Sequence, residues 1–394
     1  MASEAHATLK TQIDLILKNA NLSRSPVSIQ IVDLRDGAVL YEKNQTLSLN
    51  PASNAKIVTA ATALHELGPD YTFKTEFFSD TLIDEEGRIN NLWIKGYGDP
   101  LFVTEQLEGI VKRFRAAGLK KIEGQVFVDD TYFDRYHRTT YLSDIHRRAY
   151  SILTSPLSFN WNRTRARTRQ GIKNLENLDP ATATGTRIVE ALRGEGIEVQ
   201  GEIKREAVPR EELVIMTHQS PPLKEILKGM GKQSNNFIAE QLVKTMAAHH
   251  FGPPGSTSQG LTLMGQYLVS LGIPSSSFRL DNGSGLSRIS RLSSEQLVKV
   301  LTDLYRSRWR DDFISSLSIA GIDGTIKSKM REPRLRGRVF AKTGTLDDVS
   351  ALSGYLFDKK QPIVYSLLFN DFSISLRRMK KVQEKILEAV ADTL

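Results

Sequence analysis

The sequence predicts an α+β fold in which one domain is interrupted by a second, smaller one. Helical stripes and strand patterns open the chain up to about residue 70, and short alternating strands dominate from there to about residue 216. Longer helical patterns then return, and the chain closes on three strand patterns and an amphipathic helix. Such a change of pattern and its later reversal indicate a domain inserted into another.

The first part is predicted to contain two helices that flank a strand pair. Apolar residues at helical spacing cover residues 9–17, and alternating apolar residues at 27–31 precede the turn signal Asp36-Gly37. A segment rich in alanine and leucine begins at Ser53, and Gly68-Pro69 is expected to end the helix that it forms.

The middle and last parts differ in their balance of strands and helices. In the middle, strands are expected near 73–78, 92–94, 126–128, 196–199 and 214–216, with helices near 107–114 and 186–193. In the last part, helices are expected near 223–230 and 236–249, and a third helix is expected to end at residue 272. Strands are expected at 338–341, 352–357 and 363–369. The final stripe of Met379, Val382, Ile386 and Val390 predicts a helix packed on a core, although such a helix can also lie on a membrane.

Bulk composition predicts a large globular protein with an anionic partner. The chain has 394 residues, 40% of them apolar and 25% charged, and a net charge of +8. A positive surface attracts nucleic acid, lipid surfaces or acidic wall polymers, but here the charge is spread out, which argues against nucleic acid. The densest cluster, Arg163, Arg165, Arg167 and Arg169, is interpreted as a solvated strand or loop face.

No cysteine is present, so disulfides, a thiolate nucleophile and cysteine metal ligands are excluded. No apolar run reaches the length of a membrane span, and residues 1–10 lack the apolar core of a signal peptide. The protein is therefore expected to be cytoplasmic, or periplasmic with its leader already removed.

Ser53 and Lys56 form the first candidate catalytic motif. On a helix, residues three apart share a face, so the lysine amine would lie beside the serine hydroxyl. A serine needs an adjacent base to act as a nucleophile, and a lysine can be that base when its pKa falls. Ser53 is the only serine with a lysine three residues later. An ordinary helix start with a surface lysine is the alternative.

Ser234 and Asn236 form the second candidate motif. Their spacing recurs at Ser48 and Ser158, but only Ser234 follows the inserted domain and opens a new helix. The Ser234 hydroxyl could pass a proton to a leaving amine, and Asn236 could bind a substrate amide. A serine that merely caps the helix is the alternative, and both interpretations can hold together.

Lys342, Thr343 and Gly344 form the third motif, which follows a predicted strand. Lys342 and Thr343 could bind a terminal carboxylate, and Gly344 would allow a substrate to approach the backbone. The N–H of Thr345 could join that of Ser53 in an oxyanion hole. Lys342 would also help to keep Lys56 neutral by repulsion. A lysine that enters a turn is the alternative for an isolated tripeptide.

The three motifs, in this order, resemble those of the class C, type-4 penicillin-binding proteins, which are D-alanyl-D-alanine carboxypeptidases and endopeptidases. The resemblance covers nearly the whole chain and includes four further segments: 67–73, Gly98-Asp99-Pro100, Gly196-Ile197 and 281–288. It implies a catalytic domain of the serine β-lactamase type, an antiparallel sheet flanked by helices, built from residues 1–69 and 216–394. Residues 70–215 would form the inserted domain.

The resemblance also implies substrate contacts beyond the three motifs. Asp129, or its neighbour Asp130, would meet the amino group of the substrate's diamino acid, while Arg288 and Asp347 would line the cleft. The family usually has a third domain nested in the second, and the chain leaves no room for one after residue 162. We therefore expect the third domain to be absent and the cleft to be more open.

The resemblance implies a penicillin-inhibited serine DD-peptidase that acts on peptidoglycan through an acyl-enzyme, without a cofactor or metal. A β-lactamase and a catalytically weak wall-binding protein of the same fold are the alternatives. A metal hydrolase built from Asp129, Asp130, His137 and His146 is less favoured, because no metal-binding motif is present. An unguarded endopeptidase could damage its own cell wall, so a separate inhibitory protein is a further hypothesis.

Overall fold

The computed structural model of the protein describes residues 2–22, 25–135, 153–168, 171–358 and 362–393. The α-helices in these ranges are α1 (Ala2–Asn19), α2 (Ala55–Leu67), α3 (Thr104–Ala116), α4 (Pro180–Gly194), α5 (Leu223–Lys232), α6 (Asn236–Phe251), α7 (Thr257–Ser270), α8 (Ser294–Arg306), α9 (Arg310–Ser316) and α10 (Leu376–Thr393). The strands are β1 (Val27–Asp33), β2 (Val39–Lys43), β3 (Lys74–Ser79), β4 (Arg88–Ile89), β5 (Leu92–Gly96), β6 (Lys121–Ile122), β7 (Val126–Asp129), β8 (Arg163–Thr168), β9 (Gly171–Glu176), β10 (Glu198–Val199), β11 (Ile203–Arg205), β12 (Leu213–Gln219), β13 (Ser318–Ile319), β14 (Val339–Leu346), β15 (Val349–Phe357) and β16 (Pro362–Asn370).

The larger domain is built on one six-stranded sheet in the order β13-β14-β15-β16-β1-β2. Every neighbouring pair in it is antiparallel, and β1 pairs with β16 from Val27↔Phe369 to Asp33↔Ile363. An early strand of the chain therefore lies beside a late one within this sheet. The antiparallel pairing throughout the sheet confirms the predicted α+β fold with an antiparallel sheet.

Helices cover both faces of the central sheet. One hydrophobic core packs α2, α5, α6, α7 and α8 on one face, and a second core packs α1 and α10 on the other. Met379, Ile386 and Val390 of α10 are fully buried in that second core, so the last helix packs on the protein as predicted. None of the helices in the described ranges has the length and apolar character needed to cross a bilayer.

The inserted domain has a five-stranded mixed sheet in the order β11-β7-β5-β3-β12 and a small sheet in the order β10-β6-β4. Its own hydrophobic core includes apolar residues of α3 and α4. The predicted boundary near residue 215 falls inside β12, and the exact limits of the inserted domain stay a prediction. Strand β12 continues to Gln219, because it pairs along its length with β3 at the start of the insertion.

Strands β8 and β9, which follow residue 162, pair with each other in antiparallel register. Arg163, Arg165 and Arg167 follow one another at alternate positions of β8, as expected for an extended segment, while Arg169 lies outside the described residues. The absence of the third domain stays a prediction.

The inserted domain contacts α6, the helix that follows the second motif. Asp134, just after β7, forms an ion pair of 2.7 Å with Lys244, which is buried on α6. Gln241 on the same helix donates to the backbone oxygen of Ser155 at 2.9 Å. Because buried charges are costly unless paired, the Asp134–Lys244 contact fixes where the insertion sits on α6.

Candidate active site

Ser53 lies in a single 3₁₀ turn, Ala52–Asn54, directly before α2. Asn50 fixes the start of this turn: its side chain donates to the backbone oxygen of Ser287 and accepts from the N–H of Ala52. Ala52 has a positive φ of 44°, a strained conformation for a residue with a side chain. The turn can pack here only because residue 285 is a glycine. A Cβ at Gly285 would lie 1.9 Å from the backbone oxygen of Ala52.

The first turn of α2 brings Lys56 to the nucleophile, as the sequence predicted. The Lys56 amine lies 3.2 Å from the hydroxyl oxygen of Ser53. It also lies 2.6 Å from Oδ1 of Asn236 and 2.5 Å from the backbone oxygen of Ser284. The amine is thus held by two acceptors and one hydroxyl.

Burial lowers the pKa of Lys56 to about 7, although the nearby Glu240 carboxyl opposes this shift. Lys56 is 1% exposed, and water cannot stabilise its charged form there. Burial, rather than the predicted repulsion by Lys342, is therefore the main cause. The like-charge effect acts on Lys342 instead, whose own pKa is lowered by burial and then by Lys56.

The second motif lies between α5 and α6. Ser234 has a positive φ of 55° in this connection, and Asn235 is the N-cap of α6, accepting from the N–H of Ile238. Ser234 therefore does not cap the helix, which leaves its hydroxyl available to the third motif. Asn236 is the first residue of α6, and its side-chain oxygen reaches Lys56.

Lys342 links the second and third motifs. From strand β14 its amine donates to Ser234 Oγ at 2.8 Å and to the backbone oxygen of Thr343 at 2.8 Å. The hydroxyl groups of Thr343 and Thr325 are also 2.8 Å apart. The structure thus brings Ser53, Lys56, Ser234, Asn236 and Lys342 together, as the sequence predicted.

Gly344 and Thr345 follow on the same strand. A Cβ at Gly344 would lie 2.8 Å from the backbone oxygen of Pro51 and 2.9 Å from Nδ2 of Asn54. The glycine is thus needed for contact with the nucleophile turn, in addition to any approach by a substrate. Thr345 is exposed and pairs with Ser350 of β15, and its role in an oxyanion hole stays a prediction.

Arg288 and Asp347 are also brought together. Arg288 forms ion pairs with Asp347 at 3.3 Å and with Asp348, in the turn that joins β14 and β15. Asp347 is 96% exposed, so its carboxylate is accessible beside the strand of the third motif. Contact of either residue with a substrate stays a prediction.

Asp129 is held by contacts within the inserted domain, and its contact with a substrate amino group stays a prediction. Its side chain is fully buried and forms an ion pair of 2.9 Å with Lys95. It also accepts from the N–H and hydroxyl of Thr131 and from the N–H of Val208. The rival residue Asp130 lies 3.6 Å from Arg205.

Sequence reasoning missed Glu240 and Ser284. The buried Glu240 carboxyl accepts from the N–H of Ser284 at 2.8 Å and from that of Gly283 at 3.3 Å. Ser284 in turn presents its oxygen to Lys56. A signal was available, because Asn236, Glu240 and Lys244 recur every four residues and so share one face of α6.

In the described part of the chain, no three histidine, aspartate or glutamate side chains form a group that could hold a metal ion. Asp129 is paired with Lys95, and the proposed ligands His137 and His146 lie outside the described residues.

A sheet flanked by helices, with a serine beside a buried lysine and a second lysine on the adjoining strand, defines the class of serine acyl-transfer enzymes. The sequence profile of the D-Ala-D-Ala carboxypeptidase 3 (S13) family matches residues 9–174 and 167–392. The chain belongs to this family.

Similar proteins agree with this assignment. A D-alanyl-D-alanine carboxypeptidase from Actinomadura sp. (strain R39) is 28% identical, over 94% of this chain and 83% of that protein. Carboxypeptidase DacB from Haemophilus influenzae is 24% identical, over 86% of this chain and 84% of its own.

Solved structures show the same fold. The crystal structure of penicillin-binding protein 4 from H. influenzae has a TM-score of 0.79 and 22% identity, and the match covers 95% of this chain and 97% of that one. A predatory endopeptidase from Bdellovibrio bacteriovorus, acylated by penicillin G and in complex with an immunity protein, has a TM-score of 0.63 and 20% identity. That match covers 93% of this chain and 92% of that one.

Proposed function

We propose that the protein is a serine DD-peptidase that cleaves peptidoglycan stem peptides after D-alanine and is inhibited by penicillin. The site geometry, the family and the relatives named as D-alanyl-D-alanine carboxypeptidases support this proposal. Its substrates are D-Ala–D-Ala termini and the D-Ala–diaminopimelate cross-links between stems.

The surroundings of Lys56 carry the proposal. A charged lysine has three N–H donors, but a neutral amine has two donors and a lone pair. Asn236 Oδ1 and the Ser284 oxygen can take the two N–H groups, which leaves the lone pair for the hydroxyl proton of Ser53. With its pKa lowered to about 7, Lys56 is suited to act as a general base.

The reaction then follows in two stages. Ser53 Oγ attacks the D-Ala carbonyl carbon as its proton passes to Lys56, and the tetrahedral oxyanion is stabilised by the N–H groups of Ser53 and Thr345. The C–N bond breaks as the amine takes a proton, relayed through Ser234, which Lys342 orients. Water then hydrolyses the ester and restores the Ser53 hydroxyl.

Mass spectrometry of the protein with benzylpenicillin tests this proposal. We expect one covalent penicilloyl adduct on Ser53, absent from the Ser53→Ala variant. Ser48→Ala is the matched control, because Ser48 is half-buried like Ser53 but has no lysine three residues later. A wild-type protein that forms no adduct would refute the proposal.

Cleavage of cross-links is expected to accompany cleavage of termini. If the third domain is absent, the cleft is more open and admits larger substrates. Product analysis on purified muropeptides would measure both activities. An enzyme that releases terminal D-alanine but leaves cross-linked dimers intact would contradict this part of the proposal.

A β-lactamase and a weak wall-binding protein remain the alternatives, and two measurements separate them. A β-lactamase releases the penicilloyl group rapidly, whereas a peptidase holds it, so decay of the adduct distinguishes them. A wall-binding protein would retain peptidoglycan but release no D-alanine from it.

The proposed substrate also indicates where the enzyme acts and that a separate protein would restrain its activity. Peptidoglycan lies outside the cytoplasmic membrane, so we place the enzyme in the periplasm, which cell fractionation would test. A protein that fills the cleft would keep an open endopeptidase from harming its own cell. A pull-down from the producing cell with the active enzyme, and with a penicillin-blocked sample as control, would reveal such an inhibitor.

A further inference from the structure

A cavity of about 440 Å³ adjoins the strand of the third motif. Thr343, Gly344 and Thr345 line one side of it, and residues 326–332 and the first half of α10 line the others. Ser53, Lys56, Ser234 and Asn236 do not line it. The cavity therefore begins at the strand expected to bind a substrate carboxylate and extends away from the nucleophile.

The cavity is strongly positive. Five cationic residues and two glutamates line it, the cations being Lys329, Arg331, Arg377, Lys380 and Lys381. Lys381 is paired with Glu384 at 2.7 Å, and Lys329 donates to the backbone oxygen of Thr325. Among the described residues no carboxylate pairs with Arg331, Arg377 or Lys380. Burial, and then repulsion by Lys380, lower the pKa of Lys329.

A buried donor in the cavity wall also lacks an acceptor. Gln383 lines the cavity and is 4% exposed, and its Nε2 has no hydrogen-bond partner in the described part of the structure. A buried polar group without a partner is costly, so such a group indicates a missing acceptor. An anionic ligand in the cavity would supply the counter-charge for the cations, and a rotation of the Gln383 side chain would let Nε2 donate to that ligand.

From these observations we propose that this cavity binds the carboxylate-bearing stem peptide that leaves when a cross-link is cut. The inference rests on the proposed function. When a terminal D-Ala–D-Ala bond is cleaved, the leaving group is one alanine with one carboxylate, for which Lys342 and Thr343 suffice. When a cross-link is cleaved, the leaving group is a whole stem with further carboxylates, which needs both the volume and the charge beyond the strand.

A variant that removes the three unpaired cations tests the proposal: Arg331→Gln, Arg377→Gln and Lys380→Gln together. The substrates are a purified D-Ala–diaminopimelate cross-linked dimer and a monomer that ends in D-Ala–D-Ala. We expect the KM for the dimer to rise about tenfold, the size expected when several partly exposed charge pairs are lost. The kcat/KM for the monomer and the rate of acylation by benzylpenicillin should change less than about twofold, since neither ligand reaches these cations.

A matched control removes three charges from the other face of the sheet: Lys299→Gln, Arg306→Gln and Arg308→Gln, on and just after α8. It should leave the dimer KM unchanged. Equal losses on dimer and monomer, no loss on either, or an equal loss in the control would each overturn the proposal.

Gln383→Met gives an independent readout, because it keeps the volume of the side chain but removes the donor. We expect a higher KM for the dimer with no loss of thermal stability, whereas a purely structural glutamine would change stability alone.

The preference of the wild type for the dimer should also shrink when the salt concentration is raised from about 50 mM to about 500 mM, since salt screens such charges. A preference that salt and Gln383→Met both leave intact would count against the cavity.

The results separate this inference from the proposed function. A wild-type protein that forms no penicilloyl adduct and cleaves neither substrate contradicts the proposed function itself. A wild-type protein that cleaves both, with cation variants that do not discriminate between them, contradicts only the role of the cavity.

Discussion

Lys56 and Glu240 are connected through the backbone of a single residue, Ser284. The Ser284 oxygen accepts from the Lys56 amine at 2.5 Å, and its N–H donates to the Glu240 carboxyl at 2.8 Å. All three groups are buried, so the electrostatics of the base depend on an acid that does not touch the nucleophile. This relationship makes the pH dependence of the enzyme a sensitive test of the site.

The rate of acylation by benzylpenicillin should rise as the pH increases through about 7. Burial lowers the pKa of Lys56 to about 7, and only the neutral amine can accept the proton of Ser53. Stopped-flow acylation rates between about pH 5 and pH 9 would measure this rise with pH. Lys56→Met should abolish acylation at every pH, and a flat profile in the wild type would contradict the assignment of the base.

Glu240→Gln should shift the rise of the acylation rate to lower pH. The Glu240 carboxyl raises the pKa of Lys56, so loss of its charge favours the neutral lysine. The groups that face Glu240 are Lys56 from α2 and Lys244 on its own helix, and both are cationic when protonated. The same pH profile measures the shift, with Glu295→Gln on the surface of α8 as the control. An unchanged midpoint would show that Glu240 is neutral in the enzyme.

Gly344→Ala should lower both stability and acylation. A Cβ would clash with Pro51 and Asn54, so β14 and the nucleophile turn would have to separate. We expect a loss of about 1–3 kcal/mol in the free energy of unfolding, as for overpacked cores, together with slower acylation. Urea denaturation and the penicillin assay would measure the two effects.

Gly109→Ala is the matched control for this substitution. Gly109 lies in α3 of the inserted domain with open space around its Cα, so alanine should stabilise it by roughly 0.5–1 kcal/mol without an effect on acylation. If Gly344→Ala behaved like Gly109→Ala, the close packing of β14 on the turn would be disproved.

Lys95→Met should destabilise the protein without slowing acylation of the folded molecules. It leaves the buried Asp129 carboxylate without its ion pair, which typically costs about 3 kcal/mol. Burial raises the pKa of Asp129, but hydrogen bonds from Thr131, Val208 and Lys95 outweigh it, so the pKa is lowered overall. The stabilisation from Asp129 is therefore present above its ordinary pKa and is lost as the pH falls through its value in the folded protein.

Denaturation curves at neutral and acidic pH would measure this loss, with acylation normalised to the folded fraction. Lys74→Met is the control, because Lys74 lies on the neighbouring strand β3 and its pair with Glu76 is half exposed. If Lys95→Met changed the preference for substrates with a diamino acid but not stability, Asp129 and Lys95 would belong to the substrate site after all.

The sequence predicted the central parts of the site because local spacing determines them. Ser53 and Lys56 meet within one helical turn, and Lys342 follows a strand whose pattern is visible in the chain. The roles of Ser284 and Gly344 depend on backbone atoms from distant segments, which residue types do not reveal. The ion pair of Asp129 with Lys95 is not visible in the sequence, because Lys95 lies on an adjacent strand and strand pairing is set by tertiary contacts.

The pairing of β1 with β16 also governs the order in which a working enzyme can be made. All three motifs have been synthesised once the ribosome passes Gly344, yet β15 and β16 come afterwards. Until β16 arrives, β1 lacks this neighbour, and such long-range pairing is slow to form. A chain that stops after β14 would therefore carry every side chain of the three motifs but would lack β15 and β16, the two strands that lie between β14 and β1 in the sheet.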